Sequence, residues 1–83
     1  MTEKVLAYVL MDIEIGHTDD VVEQLRQIEE ATKIAVTTGS YDIVVLLEAN
    51  SLEHLYELTV RRIHKIAGIK ETQTAVVEKI MSV

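Results

Sequence analysis

Residues 37–42 read Thr-Thr-Gly-Ser-Tyr-Asp and run directly into the aliphatic segment 43–49. A glycine, a hydroxyl, a phenol and a carboxylate therefore stand side by side in a chain with three glycines and no proline. Two readings fit these residue types. As a hairpin, Gly39 supplies a positive φ and Asp42 accepts a local backbone hydrogen bond. As a ligand cradle, the same turn offers Ser40, Tyr41 and Asp42 to one small molecule.

Other groups carry less chemistry. His17 falls in a loop, and His54 and His64 are ten residues apart on one helix. At about 100° per residue they are roughly 80° out of line. With no cysteine and no His/Cys cluster, neither a metal site nor a metal cofactor is implied. Asp19 and Asp20 resemble an acid–base pair only in composition, since adjacent helical residues do not face each other. Acids in a first helical turn complement the helix dipole instead. Ser40, Ser51 and Ser82 lack a nucleophile-elbow motif, so no catalytic residue is assigned. The basic segment Val60–Lys65, VRRIHK, lies near a helix C-terminus, where cations also complement the dipole. RNA-binding sheets of similar layout stack bases on aromatic residues, and this chain has three Tyr and no Phe or Trp.

These groups are positioned by a regular succession of periods. Residues 3–15 alternate, with Val5, Ala7, Val9, Met11, Ile13 and Ile15 on one strand face. Leu6, Tyr8 and Leu10 occupy the other face and need cover that a small monomer lacks. Gly16 and His17 turn the chain, Thr18 is the expected N-cap, and Val21, Val22, Leu25 and Ile28 recur at helical spacing. Period two returns over 32–38, with Ile34 and Val36 on one side, and again over 43–49. Asn50 and Ser51 offer caps to a second helix. Its apolar stripe is Leu52, Leu55, Tyr56, Thr59, Ile63 and Ile66, and Gly68 ends it. Residues 69–80 alternate once more, with Ile69, Gln73, Ala75 and Val77 on one face and Thr72, Thr74, Val76 and Ile80 on the other. The order β-α-β-β-α-β predicts a ferredoxin-like α+β sandwich: an antiparallel four-stranded sheet with two helices on one face.

Length and charge bound the function. Eighty-three residues make one small domain over 1–83, which buries about 60 to 65 per cent of its unfolded surface. Disulfides are excluded, so self-association is the remaining way to enlarge the core. The net charge of −6 opposes binding to nucleic acid or to an anionic membrane. The N-terminal segment lacks signal-peptide features, and a cytoplasmic protein is expected.

The turn gains meaning from its context. TTGSYDIVV follows the first β-α-β unit, and GIKETQTAVV (68–77) follows the second helix. Together they resemble the effector domain of Lrp/AsnC regulators, the RAM (regulation of amino acid metabolism) domain. The likeness spans nearly the whole chain and is most specific at T-G-x-Y-D. It implies a non-enzymatic amino-acid sensor that dimerises through its sheets and assembles into an octamer or decamer ring. Effector would sit at interfaces between dimers.

Residue by residue, the resemblance assigns Gly39, Ser40, Tyr41 and Asp42 to the effector loop. It assigns Thr72, Gln73 and Thr74 to the polar stretch opening the last strand. Turn N–H groups would receive the effector's α-carboxylate and Asp42 its ammonium. The family's regulators carry an N-terminal helix-turn-helix domain, whereas this sequence begins at the first effector-domain strand. A stand-alone domain is expected, sensing an amino acid or co-assembling with full-length regulators. The rival readings are a small dimeric monooxygenase of the same barrel type and an assembly module without ligand.

Overall fold

The computed structural model describes residues 4–82. Glu3, where the first strand is expected to begin, lies outside the described residues. The elements are β1 (Val5–Ile13), α1 (Thr18–Leu25), β2 (Ala31–Val36), β3 (Ile43–Ala49), α2 (Leu52–Glu57) and β4 (Ile69–Val76). Between α2 and β4 the helix continues as a π-helical turn, Leu58–Arg62, and a 3-10 turn, Ile63–Lys65. The sheet order is β2-β3-β1-β4 with antiparallel neighbours, so the ferredoxin-like α+β architecture stands as expected.

The two central strands are those with apolar residues on both faces, because only there can neither face be given to water. Ala7, Val9 and Met11 pair with Leu47, Val45 and Ile43, and all six are fully buried under the helices. Val21, Leu25, Leu55, Leu58 and Ile63 supply the helical half of this core. Burying each large side chain contributes about 1.5–3 kcal/mol, which makes this layer the main source of stability. On the opposite face Leu6, Leu10, Val44 and Leu46 are half-buried, and Tyr8 is 42% exposed.

Bulges correct the alternation expected for the outer strands. In β4 the register passes from Asp12↔Glu71 to Ile13↔Ile69, so Lys70 is an extra residue. Ile69 therefore shares the helix-side face with Thr72, Thr74 and Val76, not the face of Gln73 and Ala75. One inserted residue inverts every side chain beyond it. A second bulge, at Thr32, lets both Ala31 and Ile34 pack on the core.

Element ends also differ. Ile15 is fully exposed in the turn through Gly16 (φ 86°), beyond the end of β1. His17, not Thr18, is the N-cap of α1, and it makes no side-chain capping hydrogen bond. Ser51 does cap α2, its Oγ accepting the His54 N–H at 3.0 Å. The π turn shifts the buried stripe of the second helix to Leu55, Leu58, Thr59, Ile63 and Ile66, leaving Leu52 and Tyr56 exposed. Residues 77–82 follow β4 outside the strand, tied by the Val77 N–H to the Leu6 carbonyl at 2.8 Å.

Candidate functional site

The β2–β3 turn is closed by the Thr37 N–H donating to the Asp42 carbonyl at 2.9 Å, and the Thr37 hydroxyl donates to the Tyr41 carbonyl. Asp42 then fastens the turn to the end of β1 twice. Its N–H donates to the Met11 carbonyl, and its Oδ2 accepts the Ile13 N–H, each at 2.8 Å. A carboxylate accepting one backbone donor retains capacity for further donors. Gly39 does not adopt positive φ, contrary to the hairpin expectation, and a Cβ there would meet nothing within 4 Å. The reversal is spread over residues 37–42, so no single residue has to enter the left-handed region.

Gly39 and Ser40 stand exposed at the tip of this turn. Among the described residues their N–H groups have no backbone acceptor. Tyr41 leaves the tip and its hydroxyl donates to Oε1 of Gln73 on β4. Two segments thirty-two residues apart in sequence thereby meet at one end of the sheet. Gln73 pairs with Leu10 and shares its open face, whereas Thr72 and Thr74 pair with Met11 and Val9 and share the helix side. Thr72 therefore meets a different partner: its hydroxyl lies 3.1 Å from Nε2 of His64. The structure joins Tyr41, Asp42 and Gln73 with the Gly39–Ser40 tip, and sets Thr72 and Thr74 behind them on the other face.

His64 is a neighbour of this region that periodicity missed. Helical spacing describes one element at a time, and the contact depends on the 3-10 turn and Gly68, which bring β4 back toward the helix end. Gly68 has φ 98°, and a Cβ there would come within 2.8 Å of the His17 Cβ. His54 is half-buried: its Nδ1 accepts the Asn50 N–H and its Nε2 lies 3.0 Å from Glu30 Oε2. An Nδ1 that accepts must be unprotonated, so Nε2–H is the donor to Glu30. This pair pins the start of α2 to the end of the α1–β2 connection.

The open sheet face carries a cleft of about 460 Å³ lined by Tyr8, Val44, Leu46 and Ile80, with Lys33 and Ala35 at β2. Among the described residues no helix is long and apolar enough to cross a membrane.

An antiparallel sheet with one helical layer, a polar turn tied to its end and an apolar open face defines a small open-faced α+β sandwich domain. The Lrp/AsnC ligand binding domain model matches residues 6–82, and the chain belongs to that family. An uncharacterised HTH-type transcriptional regulator of Pyrococcus furiosus is 29% identical over 77 residues, covering 93% of this chain and 52% of the regulator. The chain thus spans about half the length of such relatives. The crystal structure of FFRP-DM1 superposes with a TM-score of 0.85 at 30% identity, covering 88% of this chain and 97% of that one. A Neisseria meningitidis transcriptional regulator in complex with L-Met shares the fold alone: TM-score 0.88 at 15% identity, over 95% of this chain and 53% of that one. The family consists of regulators rather than enzymes, which removes the monooxygenase alternative.

Proposed function

We propose that residues 1–83 form a single amino-acid-binding and oligomerisation unit that modulates transcription in the cytoplasm. The observation that carries this reading is the Tyr41–Gln73 hydrogen bond beside the free N–H groups of Gly39 and Ser40. It unites the loop and the strand that the family resemblance assigns to the effector. Backbone N–H groups at the tip take the effector carboxylate, and the unused oxygen of Asp42 takes its ammonium. The L-Met complex of the Neisseria meningitidis regulator supports a free amino acid as the ligand class. Thr72 and Thr74, on the opposite face, contribute only if a neighbouring dimer brings ligand to the strand edge.

Two copies pair through Leu6, Tyr8, Leu10, Val44 and Leu46, because an apolar face of this kind is stabilised by removal from water. Dimers then close into an octamer or decamer ring and co-assemble with full-length Lrp/AsnC regulators; duplex DNA and membranes are not partners of this acidic domain. A thermal-shift screen over the twenty amino acids, with native mass spectrometry, tests the reading. Binding at a hundred times the dissociation constant should add about 2.7 kcal/mol of stability. A folded monomer that responds to no amino acid would exclude it.

A further inference from the structure

The basic segment that sequence reading attributes to the helix dipole lines a cleft of its own. Arg61, Arg62 and Lys65 face Gln24 and Gln27 across a space of about 350 Å³ between the two helices, with Ile28 and Ile66 as its buried apolar members. Three of the chain's eight Lys and Arg side chains are gathered there. Among the described residues, no Asp or Glu lines the cleft. Arg61 lies 3.8 Å from Glu57, both side chains being more than half exposed. Such exposed pairs hold their partners weakly. Arg62 and Lys65 form no ion pair among the described residues.

A backbone irregularity creates this arrangement. With Leu58 buried beside Leu55 and Thr59, an unbroken α-helix would bring Arg62 and Ile66 next onto the buried face. The π-helical turn Leu58–Arg62 inserts one residue, so Ile63 is fully buried and Arg62 emerges beside Arg61. Such insertions cost helix regularity and concentrate at functional positions. Here the inserted residue converts a would-be core position into the second arm of a cationic pair.

We propose that this cleft binds a small phosphate monoester. Planar guanidinium forks match phosphate oxygens in pairs, and Lys65 adds a third positive charge. Gln24 and Gln27 suit the polar part of an organic body resting on Ile28 and Ile66. The volume is at the lower end of the range for small-molecule sites. An extended polyanion would reach beyond the cleft over a chain of net charge −6 and be repelled. The site lies between the helices, away from the Tyr41–Gln73 contact, so it neither requires nor excludes amino-acid binding.

The test is an NMR titration of the full chain at constant ionic strength with inorganic phosphate, adenosine monophosphate and adenosine. Saturable shifts of amides in residues 24–28 and 61–66 are expected with the first two, tighter for the monophosphate, and none with adenosine. Arg62→Gln and Lys65→Gln should each weaken binding roughly tenfold, as loss of one charge-assisted contact does. Lys79→Gln should leave it unchanged. Both cleft positions are exposed, and circular dichroism checks that each variant folds; if one does not, the other carries the comparison. Shifts that follow ionic strength alone, unchanged affinity in the folded cleft variants, or a monophosphate no tighter than phosphate would overturn the proposal. So would displacement of the monophosphate by duplex DNA at lower concentration.

Discussion

The hydroxyl of Tyr41 donates to the side-chain carbonyl of Gln73, linking the turn before β3 to the last strand across the end of β1. This contact ties together two segments that no local pattern connects. It is also exposed, so its direct contribution to stability is modest.

Tyr41→Phe removes the donor and keeps the ring. We expect a stability loss of about 0.5–1.5 kcal/mol, the net value of one hydrogen bond, in urea denaturation. Effector affinity should fall by more than that loss implies, because the freed turn has to be ordered on binding. Equal affinity for the amino acid in Tyr41→Phe and the parent, by calorimetry, would show that the contact has no part in the site.

Asp42 separates positioning from charge recognition. Asp42→Asn retains an acceptor for the Ile13 N–H, so folding should be kept while the proposed contact to an effector ammonium weakens. Asp42→Ala strands that N–H and should cost about 1–3 kcal/mol. If calorimetry finds Asp42→Asn binding the effector as tightly as the parent, the carboxylate serves only the turn.

The glycines should rank by their geometry. Gly68→Ala meets both a positive φ and the His17 side chain, so it should destabilise by about 2 kcal/mol or more. Gly16→Ala meets the positive φ alone and should cost about 1 kcal/mol. Gly39→Ala meets neither and should be neutral or stabilising by about 0.5 kcal/mol, through the unfolded chain. Thermal melts of the three variants that return a different order would contradict these backbone assignments.

Charge on the open sheet face should break the proposed pairing of two copies without unfolding the monomer. Leu46→Lys places an ammonium beside Tyr8, its partner across the β1–β3 ladder, on a half-buried surface. Sedimentation should then show a shift toward monomer at micromolar concentration, with the far-ultraviolet spectrum kept. An unchanged oligomer would mean that the copies meet elsewhere.

The periods of β1 and β3 were legible in the sequence because both strands alternate without interruption, and the observed bounds of β3 coincide with residues 43–49. Ser51 likewise announced the start of the second helix, since a cap is a requirement of the local backbone, whereas Gly68 turns the chain with positive φ two residues beyond the extended Ile66 that ends the last helical turn. The turn residues 39–42 and the stretch 72–74 were also recognisable, but their arrangement was not. Thr72 and Gln73 are neighbours in sequence and opposite in facing, and the bulge at Lys70 reverses Ile69 relative to them. Ile63 keeps its expected place in the core, but the helix with the π turn buries Leu58 and leaves Leu52 and Tyr56 exposed, and Gly39 escapes the conformation its residue type suggested. These outcomes belong to the tertiary structure for one reason. An inserted residue costs little locally and is decided by which side chain the opposing layer can bury, and that layer lies far away along the chain.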